Sequence, residues 1–279
     1  MSEVFLIGDA CWDVYHQCAF KGESAEVEGA PIETWEGATR LPGMGANVFV
    51  NLQALGVDVA AQLPAHWPLK HRIMNRYDRQ LMRIDMEDWC EEISPVRIPS
   101  DTQVIVVSGY GKGAVTLGVI EQLIAFGVPI FVDTKSDPYP WLPYFEDVML
   151  FPNQKEYLAH RENYDWFPYV VVKRGAEGIE LRHFGDVVRT LPSFSDSPIC
   201  VNGAGDTFLA GMVVAALEGH MQRNFDFALA AAANVVEQPP LERTTTRRAV
   251  EQRLIREHSA NPAVGFGGVD TLVPEALWE

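Results

Sequence analysis

The sequence predicts an α/β fold in which a mostly parallel, doubly wound sheet has helices on both faces. Five short runs are apolar throughout, as is typical of strands that are covered on both sides. They are residues 4–7, 104–107, 130–132, 148–151 and 169–172. Residues 115–126 have helical spacing and end at Gly127-Val128-Pro129, a helix stop that leads into the next strand. Strand, helix and strand in repetition indicate βαβ units.

Two segments do not follow this alternation of strands and helices. Residues 14–40 are polar, rich in Glu and Gly and weakly alternating, and they predict a small β excursion that acts as a lid. Residues 259–279 contain three glycines and end in an acidic, apolar stretch, which predicts a tail. The domain expected from the sequence therefore spans residues 1–258, with 14–40 as its lid and 259–279 as the tail.

Composition narrows the class of partner. The chain has 279 residues and a formal net charge of −16, so nucleic acid and anionic membrane surfaces are poor partners, although a local basic pocket can still bind a small anion. Its four cysteines form no C-x-x-C pair, and the first residues lead directly into an apolar strand without a basic segment. No apolar run approaches the roughly 18 residues of a membrane span. We therefore expect a cytoplasmic globular protein with reduced thiols.

The sharpest functional pattern is a run of small residues that ends in an acid. Asn202-Gly203-Ala204-Gly205-Asp206 precedes an apolar helical run, residues 208–217. Small residues before a helix allow backbone N–H groups to converge on an anion, and the helix dipole favours an ionised acid in the first turn. A carboxylate beside such an anion hole can take the proton of a hydroxyl that attacks a phosphoryl group. We predict Asp206 as the catalytic base and Gly203, Ala204 and Gly205 as the anion hole. The alternative is an ordinary glycine turn with a capping Asp.

Polar residues follow three further predicted strands. An amide and a carboxylate three residues apart, Asn153 and Glu156, can hold a hydrated Mg²⁺ near phosphates, although Glu156 also fits a capping box. Lys135 lies at a strand end, where ligands gather in open α/β sheets, but it could equally be a surface lysine. Residues 173–178 fit a loop beside a nucleotide or a plain hairpin. The predicted nucleotide-side residues are Lys135, Asn153, Glu156, Lys173, Gly175 and Gly178.

Acceptor-side candidates occur earlier in the chain. Asp9 and Asp13 flank the exit of the first strand, where carboxylate oxygens can bind sugar hydroxyls. Gly43 and Asn47 open a helix predicted at residues 48–55, and Asn47 offers both a donor and an acceptor. The plain alternatives are surface acids and a capped helix start.

A different class of protein also has a sequence signal. Residues 109–114 read G-x-G-x-x-A after a strand, and Asp133 follows about twenty residues later, which is close to a dinucleotide-binding fingerprint. The match lies in the middle of the chain and leaves the segment ending at Asp206 without a role. It keeps a nicotinamide or flavin enzyme open as a minor alternative. The chain contains no G-x-x-x-x-G-K-[ST] sequence, which argues against a P-loop enzyme.

Taken together, these segments resemble the PfkB (ribokinase-like) carbohydrate kinase family. Residues 203–206 resemble the second family signature and 42–47 the first, while Asn153-x-x-Glu156 resembles its N-x-x-E motif. The heptose-7-phosphate kinase branch is the nearest within that family. The stretches that resemble it are residues 8–15, 70–73, 80–87, 108–113 and 132–135. The resemblance covers residues 3–253.

The resemblance implies a ribokinase-like fold and transfer of the γ-phosphoryl group of ATP to a sugar or sugar phosphate. Asp206 would be the base, and Asn153 and Glu156 would help place Mg²⁺, indirectly. The implied nucleotide-side residues also include Asn234. The implied acceptor-side residues are Asp9, Asp13, Gly43, Asn47 and Lys112, with Lys70, Arg72 and Arg83 to neutralise a phosphate already on the acceptor. The lid would cover the sugar, and it offers a surface for a homodimer.

Several positions depart from the family pattern. Cys200 stands where the family usually has Asp, so a monovalent-cation site is not expected there. Gly109 replaces the Asp of the branch motif S-D-Y-x-K-G, and Met44 replaces a Gly. The chain is also shorter than its relatives between about residues 63 and 70, and after Asn234. These departures favour a reshaped acceptor pocket, and they leave open a catalytically inactive relative that binds a sugar or nucleotide and works through a partner.

Overall fold

Two β-sheets organise the chain, and the larger has eight strands. The computed structural model describes residues 2–86, 89–141, 146, 148–218 and 221–260, so nearly all of the predicted tail lies outside the described residues. The strands of the large sheet are β1 (Val4–Gly8), β4 (Val59–Gln62), β7 (Val104–Gly109), β8 (Ile130–Thr134), β9 (Val148–Leu150), β10 (Val170–Lys173), β11 (Ile179–His183) and β12 (Asp186–Leu191). Their order is β12-β11-β10-β9-β8-β7-β1-β4. Among the described strands of this sheet, β11 pairs antiparallel with both β10 and β12, and the other neighbours pair in parallel.

Helices cover both faces of this sheet, as predicted. They are α1 (Gly45–Ala54), α2 (Leu117–Ile124), α3 (Gln154–Ala159), α4 (Arg161–Tyr164), α5 (Ala204–Leu217), α6 (Met221–Val236) and α7 (Arg247–Ala260). In β1, Val4 and Leu6 pack into the core that contains α1, α5 and α6, whereas Phe5 and Ile7 pack into the core that contains α2 and α3. A strand that is buried on both faces needs apolar residues at every position, which explains the uninterrupted apolar runs.

The helices begin and end close to the predicted residues. The helix expected at 115–126 is α2, whose N-cap Thr116 accepts a hydrogen bond from the N–H of Val119. Helices α1 and α5 begin three and four residues earlier than the apolar runs indicated, so that the small residues form their first turns. Helix α5 packs closely on α6, because Gly211 leaves room for the backbone of Ala228.

The second sheet has four described strands, and because it contains most of residues 14–40, we call the whole sheet the lid from here on. They are β2 (Ala10–Glu23), β3 (Pro31–Met44), β5 (Leu69–Asn75) and β6 (Gln80–Met86), in the order β3-β2-β5-β6. Residues 14–40 lie in its first two strands and the turn between them. The sheet is therefore larger than the excursion expected from the sequence, because β5 pairs in parallel with β2 across more than fifty residues of chain.

No helix in the part of the chain that the structure describes is both long and apolar enough to span a bilayer.

Candidate active site

The site is built where the parallel strands end and α5 begins. Asp9 follows β1, Tyr110 follows β7, Asp133 lies at the end of β8 and Lys173 at the end of β10. Parallel strands bring their carboxyl ends to one edge of the sheet, which is where open α/β sheets bind ligands. The fold therefore gathers side chains that are far apart in sequence.

Asp206 lies in the first turn of α5 and is almost fully buried, with 8% of its surface exposed. Gly203 caps the helix with φ of +85°, a left-handed conformation that favours glycine. Asn47 Nδ2 donates to Asp206 Oδ2 at 2.7 Å, and the hydroxyl of Tyr110 donates to Oδ1 at 3.1 Å. Burial raises the pKa of Asp206, and the hydrogen bond from Asn47 opposes that rise. The geometry is that of a desolvated carboxylate held in a fixed orientation.

Two lysines stand beside the anion hole. Lys173 Nζ forms a short ion pair with Asp133, and Lys135 Nζ lies 2.7 Å from Glu156 and 3.5 Å from Asp133. Burial alone would raise the pKa of Asp133, but the two ammonium groups outweigh it and the pKa lies below its ordinary value. A Cβ at Gly205 would come within 3.3 Å of Lys173 Nζ, so the ammonium lies directly against the small-residue turn.

Asn153 and Glu156 form a capping box, which was the alternative to a Mg²⁺ role in the sequence analysis. The N–H of Glu156 donates to Asn153 Oδ1 at 3.0 Å, and the N–H of Asn153 donates to Glu156 Oε2 at 2.8 Å. Among the described residues, no group of three or more His, Cys, Asp or Glu side chains could hold a metal ion. Both carboxylate oxygens of Glu156 are already engaged, because Oε1 also pairs with Lys135 at 2.7 Å.

One cavity of about 380 Å³ connects these groups. Its polar lining includes Asp206, the Gly203–Gly205 turn, Tyr110 and both lysines, and much of the remaining lining is apolar. The apolar lining includes Ile179, Pro198, Val201, Leu229 and Val236. Asn153, Gly175 and Gly178 also line this cavity, as the prediction of nucleotide-side residues requires.

The structure corrects the role expected for Asp9. Its carboxylate accepts the backbone N–H groups of Tyr110, Lys112 and Ala114 at 2.6, 3.1 and 3.0 Å, and the residue is only 1% exposed. Asp9 therefore shapes the loop and has no oxygen directed at a sugar. The same contacts argue against the dinucleotide alternative, because amides of the G-x-G-x-x-A segment that would bind a pyrophosphate are bonded to Asp9.

Asp13 lies on the lid, between two buried arginines. Arg72 donates to Oδ1 through Nε at 3.2 Å and through a terminal nitrogen at 3.1 Å, and Arg243 donates to Oδ2 at 2.8 Å. Both guanidinium groups stack on the ring of Tyr15. A Cβ at Gly43 would come within 2.9 Å of Asp13, so glycine is required beside the cluster. Asp13, Gly43 and Arg72 thus come together as predicted, but as an ion-pair cluster.

Besides Asp9, several predicted residues line neither the cavity nor this cluster. Asn234 bonds through its side chain to Thr245 and Arg253, and it does not line the cavity. Arg83 is exposed on the outermost lid strand and pairs with Asp85 at 2.9 Å. The amide of Lys112 bonds to Asp9, as described above. Lys70 lies over the ring of Tyr110, 5.3 Å from its centroid, and is therefore close to the base.

Sequence reasoning missed two residues of the site. Tyr110 lies in the glycine-rich segment 109–114 and in the stretch that resembles the heptose kinase branch, but it had no predicted role, and its hydroxyl bonds to Asp206. Arg243 had no motif, yet it pairs with Asp13 and bonds to the carbonyl of Pro42, and a Cβ at Gly203 would come within 3.8 Å of its stem. The contraction after Asn234 was the one available signal that this part of the chain is unusual.

Solved structures with the same architecture define the class of fold. Escherichia coli phosphofructokinase-2 in complex with substrates and products matches with a TM-score of 0.71 at 16% identity, over 92% of this chain and 99% of that one. Arabidopsis thaliana ribokinase complexed with ribose and ATP matches with a TM-score of 0.68 at 18% identity, over 91% of this chain and 99% of that one. The fold is ribokinase-like, as predicted.

Sequence comparisons find relatives of this chain. Residues 146–245 match the description "pfkB family carbohydrate kinase". The bifunctional protein HldE of Pectobacterium atrosepticum is 27% identical over 84% of this chain and 59% of that protein, and HldE of Campylobacter jejuni subsp. doylei is 27% identical over 84% and 61%. The chain thus spans about three fifths of the length of these curated relatives. The resemblance to PfkB family carbohydrate kinases is confirmed.

Proposed function

We propose that this chain is an ATP-dependent kinase that transfers a γ-phosphoryl group to a hydroxyl of a sugar or sugar phosphate. The observation that carries the proposal is the position of Asp206. This buried carboxylate directly follows the Gly203–Gly205 turn and opens onto the same cavity as Lys135 and Lys173. A base, an anion hole and fixed positive charges within one cavity are the parts that phosphoryl transfer needs.

The cavity supports ATP as the donor. Its volume of about 380 Å³ lies within the usual range for small-molecule sites. The apolar part of the lining can pack against a purine ring. The two lysines and the amides of the Gly203–Gly205 turn can bind the phosphates. ATP supplies the phosphoryl group. Lys135 and Lys173 stabilise the negative charge that moves to the leaving diphosphate.

Asp206 acts on the acceptor. Its carboxylate accepts the proton of the acceptor hydroxyl as the new oxygen–phosphorus bond forms. The hydrogen bond from Asn47 fixes the carboxylate, and burial makes it a stronger base than an exposed acid would be. Mg²⁺ would be held by the phosphates and by waters that contact Asn153 and Glu156, because Glu156 is already bonded to Lys135.

Positive charges close to Asp206 support an anionic acceptor. Arg72 and Arg243 share a single carboxylate, Asp13, and Lys70 has no hydrogen-bonded acid among the described residues. This surplus of positive charge lies beside the base in a chain whose net charge is −16. Because the motifs resemble the heptose-7-phosphate kinase branch, we propose a heptose 7-phosphate as the first acceptor to test, with Lys70 as its phosphate contact.

A panel of acceptors tests both the proposed kinase activity and the proposed preference for a phosphorylated acceptor. ADP release should be measured with heptose, hexose and pentose, each with and without a phosphate. Lys70→Met should raise KM for phosphorylated acceptors and leave the free sugars unchanged, whereas Lys21→Met, on an exposed part of the lid, should change neither. Equal effects of Lys70→Met on both groups of acceptors would contradict an anionic site.

The second candidate is an inactive relative that binds sugar or nucleotide and acts through a partner. Cys200 and the short region near residues 63–70 favour it, and the complete turn at Gly203–Asp206 argues against it. Saturable ATP binding without transfer to any acceptor in the panel would support this second candidate and contradict the kinase.

We also propose that the chain forms a homodimer through the outer face of the lid and works in the cytoplasm. Met82, Ile84 and Met86 alternate along β6 and are about half exposed, and Trp35 is 63% exposed. All four cysteines are free thiols, which suits a reducing compartment. Light scattering should give twice the chain mass, and Ile84→Lys should give the mass of one chain. A monomeric wild type at micromolar concentration would contradict the dimer.

A further inference from the structure

The loop between β7 and α2 brings an aromatic hydroxyl to the proposed base. Tyr110 OH lies 3.1 Å from Asp206 Oδ1, on the wall of the cavity. We infer that Tyr110 is the positioning residue of Asp206, which it holds ionised and correctly oriented for the acceptor. The inference rests on the proposed kinase reaction and extends it to a residue of the 108–113 segment that had no role in it.

The backbone of Tyr110 is held as firmly as its side chain. Its N–H donates to Asp9 Oδ2 at 2.6 Å, and two more amides of the loop bond to the same carboxylate. Gly111 and Gly113 have positive φ and let the chain curl around Asp9. One buried acid therefore fixes the loop, and the loop fixes the tyrosine against a second buried acid, Asp206.

The two donors on Asp206 bind different oxygens. Asn47 occupies one lone pair of Oδ2 and Tyr110 occupies one lone pair of Oδ1. Rotation of the carboxylate would break both hydrogen bonds, so its orientation is fixed, and each oxygen keeps a lone pair for the acceptor hydroxyl. The ring of Tyr110 also carries Lys70 at 5.3 Å and Lys135 at 5.1 Å from its centroid, which orients it further.

The protonation states agree with this geometry. Burial, followed by the charge of Asp206, raises the pKa of Tyr110 well above its ordinary value, so the phenol keeps its proton and acts as a donor to the carboxylate. Burial raises the pKa of Asp206, and a donor to the carboxylate favours its ionised form. Other titratable groups that act on Asp206, or on which it acts, are Cys11, Asp133, Lys135, Lys173 and Arg243. All of them are retained when only the hydroxyl of Tyr110 is removed.

The proton balance of the step is simple. The acceptor oxygen bonds to the γ-phosphorus, the bond from that phosphorus to the bridging oxygen breaks, and ADP leaves with that electron pair. The acceptor proton goes to Asp206. Tyr110 neither gains nor loses a proton, and its hydroxyl stabilises the carboxylate until the transfer.

Tyr110→Phe tests the inference, because it removes the hydroxyl and keeps the ring that Lys70 and Lys135 contact. The expected result is a kcat about tenfold to a hundredfold lower, as for loss of a hydrogen bond to a charged group. The acid limb of kcat/KM should also move to higher pH, since a lost donor favours the protonated form. Tyr169→Phe, at the far end of the sheet, is the matched control and should change neither quantity.

Incorporation of 3-fluorotyrosine at position 110 provides the opposite perturbation. Fluorination makes the phenol a stronger donor, so the acid limb should move to lower pH. A second readout without turnover is the carboxyl carbon resonance of Asp206, which should titrate at higher pH in the Phe variant. An unchanged acid limb and an unchanged resonance in folded Tyr110→Phe would overturn the inference. A wild type that transfers no phosphate would instead overturn the proposed function, while the Asp206 titration would still test the hydrogen bond.

Discussion

Replacement of Asp206 by Asn removes the charge of the proposed base and almost none of its shape. The amide oxygen can still accept the hydrogen bond from Asn47, now 2.7 Å from Oδ2, and the amide nitrogen can donate to the hydroxyl oxygen of Tyr110. The anion hole and both lysines are untouched. The variant therefore isolates proton acceptance from positioning and from binding of the donor.

The expected loss is set by general base catalysis, which contributes about 10²- to 10⁴-fold. We expect kcat to fall within that range. Because a carboxylate repels the phosphates beside it, nucleotide affinity should be unchanged or somewhat higher. ADP release measures the first quantity and titration calorimetry the second. Asp186→Asn, an exposed acid on β12, is the matched control. Transfer at the wild-type rate by Asp206→Asn would refute the assignment of the base.

The same variant has a predicted effect on stability. Burial raises the pKa of Asp206 in the folded protein above its unfolded value. The folded state then binds the proton more tightly, so this stabilising contribution is complete below the unfolded pKa and is lost as the pH rises through the folded pKa. At pH 7 the buried charge disfavours folding. Asp206→Asn should therefore have a higher Tm than the wild type at pH 7, with a difference that shrinks in acid.

Three further predictions concern Lys173, two loop glycines and Cys200. Lys173→Met leaves Asp133 with one weaker partner and should lower stability by about 3 kcal/mol, together with nucleotide affinity, as denaturation and calorimetry would measure. Gly178→Ala should prevent folding, because its Cβ would come within 2.0 Å of a carbonyl oxygen. Gly175→Ala, with open space around it, should cost only about 1–2 kcal/mol, so equal soluble yields would contradict the difference. Because Cys200 replaces the usual Asp, the rate should be the same in K⁺ and in a bulky organic cation, and strong activation by K⁺ would contradict this.

The fold could be predicted because its signal is local. A strand buried on both faces must be apolar at each position, and the glycine and proline that end α2 act within a few residues. The second half of the lid was missed because its signal is not local. Strand β5 contains Lys70, His71 and Arg72 in succession, and only pairing with β2, more than fifty residues away, makes it a strand.

The site was predictable in part for a similar reason. The turn at Gly203–Asp206 has its candidate base and its small residues within four positions, so sequence alone was enough to propose it. The role of Asp9 depends on amides about a hundred residues further along the chain, and a carboxylate after a strand can equally face a ligand or a loop. Arg243 lies 230 residues from its partner Asp13, and a single arginine in a polar segment carries no pattern.

The two buried acids Asp9 and Asp13 differ in their partners, and the difference affects the charge near the proposed acceptor site. Asp9 is held by three backbone amides of the loop after β7, so it is not part of the cluster around Asp13. Asp13 can neutralise only one of the two arginines that hold it. With a neutral sugar, the second arginine is balanced only in part, by the nearby charge of Asp206, whereas a phosphate on the acceptor would bring a further anion to the cluster. The proposed preference for an anion would therefore depend on the whole cluster, and replacement of Arg243 by Met should weaken phosphorylated acceptors more than free sugars.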